Sequence, residues 1–245
     1  MPFTFSHPAI ILPLKYLPRS WFSVTALVIG SVTPDFEYFL RMKVKSDYSH
    51  TLAGIFWFDL PLALLLAFAF HNLIRNLLFQ NLPSFISNRV SLFTHFNWNN
   101  YFKKNWPIII ISFLIGISSH IFWDSFTHKH GYFVNQIDEL KNTIIVFEKE
   151  IPFWKIAQHA STFLGSIFII IAFLKMPQDF NFKNSVDKLY WITVSLFTTA
   201  ILFIRFTIHP KTLNIGNFTV SFIASFLISI TIIPLLIKSK FDTKN

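Results

Sequence analysis

Five apolar runs, each close to the length of a bilayer crossing, constrain this chain more than any other feature. They fall at about 53–74, 107–126, 157–175, 189–209 and 218–237. A helix that spans the roughly 30 Å hydrocarbon core needs about 20 mostly apolar residues. Little polar sequence remains for a conventional soluble core: 53% of the 245 residues are hydrophobic and 13% are charged, about half the charge of an ordinary soluble domain. The expected fold is all-α, a polytopic membrane helix bundle of about five transmembrane helices in a single integral membrane domain, 1–245. Residues 21–40, WFSVTALVIGSVTPDFEYFL, form a sixth segment. Its Thr-Pro-Asp break and two acids predict an interfacial or half-inserted helix rather than a full crossing.

The remaining composition narrows the class. The formal charge of +9 is scattered between apolar runs, which suits anionic lipid headgroups and predicts no nucleic-acid partner. The absence of cysteine excludes disulfides and thiolate metal sites. The start of the chain lacks a basic region before its apolar part, so it does not read as a signal peptide. Lysine and arginine divide equally between the two sides of a five-span topology, so the bias that orients membrane proteins gives no orientation. The 127–156 connection is the longest polar stretch and predicts a surface helix. Trp21, Trp57, Trp106, Trp123, Trp154, Tyr190 and Trp191 lie near span ends, as an interfacial aromatic belt would.

The five spans also sort the histidines. His7, Asp35, His50, His120, Asp124, His128 and His159 all fall on one membrane side, whereas His71 and His95 fall on the other. His120, Asp124 and His128 follow an i, i+4, i+8 spacing. On one continuous helix this stacks imidazole, carboxylate and imidazole along a stripe. That is ligand chemistry for a divalent metal held by nitrogen and oxygen, and polar groups near hydrocarbon carry a cost that a metal would offset. Glu37 reads as a solvated or interfacial charge, Lys129 and His130 as headgroup contacts. Asp59, inside the first span, caps the helix after a kink at Pro61 or faces the bundle interior, and Arg205, inside the fourth, pairs with it or snorkels.

The segments MPFTFSHPAIILPL, GSVTPDFEYFLRM, YSHT, SSHIFWDSFTH and QHAST together resemble a bacterial multi-pass membrane family, domain of unknown function 4184. More distantly, the order of ligands is similar to membrane-bound metal-dependent hydrolases and to the zinc-dependent phospholipase C and P1-nuclease fold. That resemblance implies metal ligation by His50, His120, Asp124 and His128, with Asp35 bridging ions or acting as catalytic base. His7 and His159 complete or orient the shell. His159 matches the first half of a His-x-x-x-Glu motif, but Phe163 stands where the glutamate would be, so one or two ions, most simply zinc, are implied rather than three. The implied function is a metal-dependent hydrolase of the bacterial cytoplasmic membrane, with its site at one surface and phosphoester or lipid-linked substrates. The alternative is a non-enzymatic membrane protein in which the cluster is a structural metal or hydrogen-bond site.

Overall fold

A computed structural model describes residues 3–18, 20–182 and 184–241. Helix accounts for 76% of the chain, and the only sheet among the described residues is one two-stranded hairpin. Five helical segments are long and apolar enough to cross a membrane: Leu52–Asn81, Trp98–Gln136, Phe153–Leu174, Lys188–Ile208 and Ile215–Leu236; the second is a continuous helix, Trp98–Thr127, followed by a short one, Tyr132–Gln136. The chain is therefore all-α with five spans of membrane length, as the apolar runs predict. The first two helices run well past the predicted 53–74 and 107–126. Polar residues at their ends, such as Asn76, Gln80 and Asn99, continue a helix outside the apolar window without breaking it.

Both long helices carry irregularities with local causes. Pro61 has no N–H to donate, and the turn preceding it, Ile55–Asp59, is π-helical. In the second span Asn105 leaves helical geometry (φ −129°, ψ 21°) two residues before Pro107, the usual cause of a kink. The 21–40 segment forms a helix at Val24–Val32, a tight turn at Thr33–Asp35 and a further helix at Phe36–Arg41, so the Thr-Pro-Asp break is where the helix stops.

The chain divides into two compact units. The first comprises the residues up to Asp35, Tyr48–Ala63 and Asn105–Lys175. Within it, Val24–Val32 crosses the second span at backbone contact distance. A Cβ on Gly116 would lie 2.5 Å from Leu27 O and 2.8 Å from Ser31 N, and one on Gly30 would lie 2.6 Å from Phe113 O. Small residues permit this close approach between helices in lipid, where apolar burial alone drives no association. Leu27, Ile109, Phe113 and Ile117 fill the buried layer around the crossing. The Ser23 amide donates to Ser112 Oγ at 2.9 Å and fixes the start of the same helix.

The N-terminal turn Thr4–Ser6 lies against the third span. The Phe3 amide donates to Thr162 Oγ1 at 3.0 Å, and Ser6 packs on the Cα of Gly165, where a Cβ would lie 2.9 Å from Ser6 O. Gln158 Nε2 donates to Thr127 O at 3.1 Å and ties the third span to the end of the second. The 127–156 connection holds a short helix, Tyr132–Gln136, and an unpredicted antiparallel hairpin, Thr143–Val146 with Lys149–Pro152.

The second unit comprises Phe36–Asp47, Leu64–Lys104 and the chain from Met176 onward. Its core is Tyr190, Val194, Ile230 and Ile233, with Ile74 and Leu77 packed against it. Tyr190 is buried there. Glu37 is also buried, contrary to the sequence expectation. Its carboxylate pairs with Arg41 at 2.7 Å and accepts from the Asp47 amide at 2.9 Å and from Ser46 Oγ at 3.0 Å. Arg205 donates to Met42 O at 3.3 Å, a carbonyl that also accepts from Ser221 Oγ.

The Gly116 crossing yields a direct expectation. Gly116→Leu drives a side chain into the Leu27 and Ser31 backbone and lowers stability by about 1–3 kcal/mol, the usual cost of overpacking. Thermal unfolding in detergent micelles measures it. An unchanged midpoint would show that the two helices do not touch there.

Candidate metal centre

Four side chains that are distant in sequence meet in the first unit. Asp35 ends the turn after Val24–Val32, His50 lies in the loop before the first span, and His120 and Asp124 sit one turn apart on the second span. One ligand atom from each lies within 4.8 Å of all the others. The atoms alternate nitrogen and oxygen around a ring. His50 Nε2 is 3.6 Å from Asp35 Oδ1 and 3.4 Å from Asp124 Oδ2. His120 Nε2 is 3.5 Å from Asp35 Oδ1 and 3.4 Å from Asp124 Oδ2.

These separations exceed ordinary N–H···O hydrogen bonds of about 2.7–3.2 Å. They match the edge of a coordination tetrahedron: metal–ligand distances of about 2.1 Å give ligand–ligand edges of about 3.4 Å. Asp35 Oδ1, His120 Nε2 and Asp124 Oδ2 are buried and make no hydrogen bond of their own, which is costly unless a cation compensates.

Each ligand is also held at its other end. Thr4 Oγ1 donates to Asp35 Oδ2 at 2.6 Å. His120 Nδ1 faces Ser31 O at 2.7 Å. A carbonyl only accepts, so Nδ1 carries the proton, and in the neutral ring the Nε2 lone pair points into the cluster. Ser49 Oγ lies 2.9 Å from His50 Nδ1. His7 Nε2 lies 3.1 Å from Asp124 Oδ1, while its Nδ1 faces Thr4 O at 3.2 Å. Outer partners of this kind fix tautomer and orientation in metal sites. The Gly116 crossing matters here, because it brings the Ser31 carbonyl over the His120 ring one turn later.

His7 and His120 stack face to face, ring centroids 3.8 Å apart. His50 sits on left-handed backbone, φ 56°, a conformation uncommon outside glycine and concentrated at functional sites. Of the four ligands, its side chain is the most exposed, at 20%.

The electrostatics follow from two facing carboxylates. Burial would push the Asp35 carboxyl up. The facing His120 imidazole, with His50, outweighs burial and holds it below the usual carboxylate range. For His50, burial pushes down, and the Asp124 and Asp35 carboxylates more than reverse it, leaving the imidazole raised. The cluster thus draws in positive charge, supplied either by imidazole protons or by a bound cation.

Of the sequence-predicted site residues, the four in the ring converge, and His7 joins them through Asp124. The continuous helix ends at Thr127, and His128, the next residue, reaches the outer side of Asp124 rather than the ring. Its Nδ1 contacts Asp124 O at 3.1 Å and stands 3.6 Å from Asp124 Oδ1, outside the four-atom ring. His159 is exposed on the third span beside buried Gln158. Successive helical residues point about 100° apart, and the inward position belongs to Gln158, which puts His159 outside the cluster. Thr4, Ser31 and Ser49 carry no sequence signal for an outer-shell role, since single hydroxyl residues and backbone carbonyls occur throughout any chain.

Fold and site together define a helical protein of the integral membrane type that carries a buried carboxylate–imidazole cluster able to hold a metal ion. The chain belongs to a family described as a domain of unknown function (DUF4184), which matches residues 1–235. No curated protein and no solved structure matches it.

The outer shell can be tested apart from the ligands. Thr4→Val leaves Asp35 Oδ2 buried without its donor and costs about 1–3 kcal/mol, whereas Thr4→Ser retains the donor and stays near wild type. Equal unfolding midpoints for both variants would remove Thr4 from the site.

Proposed function

We propose that Asp35, His50, His120 and Asp124 hold one divalent metal ion, most simply zinc, and that the chain is a metal-dependent hydrolase embedded in a bacterial cytoplasmic membrane. Phosphoester or lipid-linked molecules at the membrane surface are its substrates. The observation that carries this reading is the alternating ring of ligand atoms at 3.4–3.6 Å. The donor set agrees: imidazole and carboxylate without thiolate suit zinc and its neighbours.

A divalent ion at such a site supplies a bound water with pKa near 7 and polarises the oxygen of an ester. The protein groups divide the remaining tasks. Ser31 O and Ser49 Oγ set the imidazoles. Thr4 and His7 hold the outer carboxylate oxygens. Both oxygens of Asp35 are engaged, one by Thr4 and one in the ring, so its part is that of a ligand rather than a free base. His128, half-buried at the edge of the cluster, is the group placed to exchange protons with a substrate. The ring atoms are themselves buried, and the His50 side, where the side chain is 20% exposed, is the shortest way in from solvent.

One observation favours the second reading, a structural site. Four protein ligands are the number that closes a structural zinc site, whereas catalytic sites keep a position open. A catalytic site would need an open position, and His50, the most exposed of the four ligands, is the one that would leave it.

Two measurements separate these readings. Purified wild-type protein is expected to carry about one metal ion per chain, and the His120→Ala/Asp124→Ala variant close to none. A metal-dependent activity on a phosphoester and acyl-ester panel, lost in that variant, supports the enzyme. Metal without any activity favours the structural site, and equal, negligible metal in both proteins contradicts metal binding.

The dependence on pH gives a further test. In chelated protein, Asp35 is lowered on folding, so it contributes stability above its unfolded value of about 3.9 and loses it as pH falls through the folded value. His50 is raised on folding, so its contribution is full below about 6.5 and fades as pH rises through its folded value. Metal binding works in the opposite direction, because protons compete for the imidazoles. The loss of unfolding midpoint on adding chelator should therefore grow between about pH 5 and 8. Identical curves with and without chelator across that range would leave a metal-free ionic knot.

A further inference from the structure

The hairpin between the second and third spans presents apolar side chains that nothing within the described residues covers. Phe147 is 94% exposed and Ile145 76%. Phe147 and Glu148 form its two-residue turn, flanked by the Val146–Lys149 pair, and both have left-handed backbone, φ 48° and 61°. A turn with positive φ at both positions ordinarily uses Asn-Gly or Gly-Gly. Here a bulky aromatic takes the strained position and points outward.

The register adds to this. Ile145 opposes Glu150, and Ile144 opposes Ile151, so the strands carry Ile144 and Ile151 on one face and Ile145 on the other. A lone two-stranded hairpin is marginal in water, and an apolar edge strand there invites aggregation.

The position of the hairpin identifies its surroundings. Its base is closed by the Phe153 amide, the first residue of the third span, donating to Asn142 O at 2.9 Å. Strands of four residues reach about 13 Å, so the tip cannot leave the vicinity of the membrane surface where that span begins. Phe153, 40% exposed at the base, continues the apolar surface onto the span. Glu148, Lys149 and Glu150 flank the tip with charge of both signs, which limits any insertion to a shallow depth.

We propose that Ile145 and Phe147 sit in the headgroup–acyl boundary of the bilayer that holds the spans, making the hairpin an interfacial anchor. The 127–156 connection that carries it includes His128, so the anchor ties the edge of the His/Asp cluster to headgroup level. This inference stands whether or not a metal is bound.

Because the chain has no cysteine, Phe147→Cys and Ile145→Cys each offer a single attachment point for an environment-sensitive nitrobenzoxadiazole label. The protein is reconstituted in phosphatidylcholine/phosphatidylglycerol vesicles, with Glu139→Cys, exposed in the same connection, as the reference. At positions 147 and 145 a nitroxide placed high on the acyl chain should quench emission roughly twofold, and aqueous iodide should quench several-fold less than at position 139. Both side chains point away from the core, so either variant suffices if the other is lost in purification. Iodide quenching equal to position 139, without nitroxide quenching, would overturn the proposal. So would shielding from both quenchers, which would show that protein, a second copy included, covers the tip.

Discussion

Two carboxylates, Asp35 and Asp124, face each other across a buried space in a protein built for lipid. Neither can stay charged there without positive charge between them, because burial of an unpaired carboxylate costs several kcal/mol. The local architecture satisfies that demand. His50 and His120 insert their Nε2 atoms between the two acids, and the resulting ring has the dimensions of a coordination polyhedron. The close helix crossing at Gly116 and the left-handed backbone at His50 are the structural costs of bringing these groups together.

The shell around the ring explains why the N-terminal segment is docked as it is. Thr4 and His7 each hold the outer oxygen of one carboxylate, while Phe3 and Ser6 fix the same segment to Thr162 and Gly165. A turn of a few residues thus joins the third span to the site without supplying any of the four ring atoms. Ser31 does the equivalent for His120 through a backbone carbonyl. The outcome is a buried cluster whose ligands are oriented from behind, with His50 and His128 the more exposed side chains at its edge.

Much of this could be read from the sequence, for identifiable reasons. Hydropathy gave the five spans, because every backbone group in lipid must bond within its own segment and long apolar helices leave no ambiguity. The His120–Asp124 pair was visible because i, i+4 spacing is local. Asp35 and His50 could be grouped with it only through membrane sidedness and family resemblance, since their approach depends on tertiary packing. His159 shows the limit of that logic: sidedness does not set helix phase, and Gln158 takes the inward position. His128 was predicted as a ligand on the stripe; it lies one residue past the helix end and touches Asp124 from outside the ring. Glu37 looked like a surface charge until Arg41, Ser46 and Asp47 surrounded it. The hairpin was hidden because its turn is Phe-Glu, with no glycine or asparagine to signal left-handed backbone.

Under the proposed reading, a cation lies between the carboxylates, held by two imidazoles and two carboxylate oxygens. X-ray absorption at the metal edge of the purified, detergent-solubilised protein tests it most directly. A metal in the Asp35–His50–His120–Asp124 ring gives a mixed nitrogen and oxygen shell at about 2.0–2.2 Å with the outer-shell scattering of about two imidazole rings. A shell of water oxygens alone, without imidazole scattering, would contradict it.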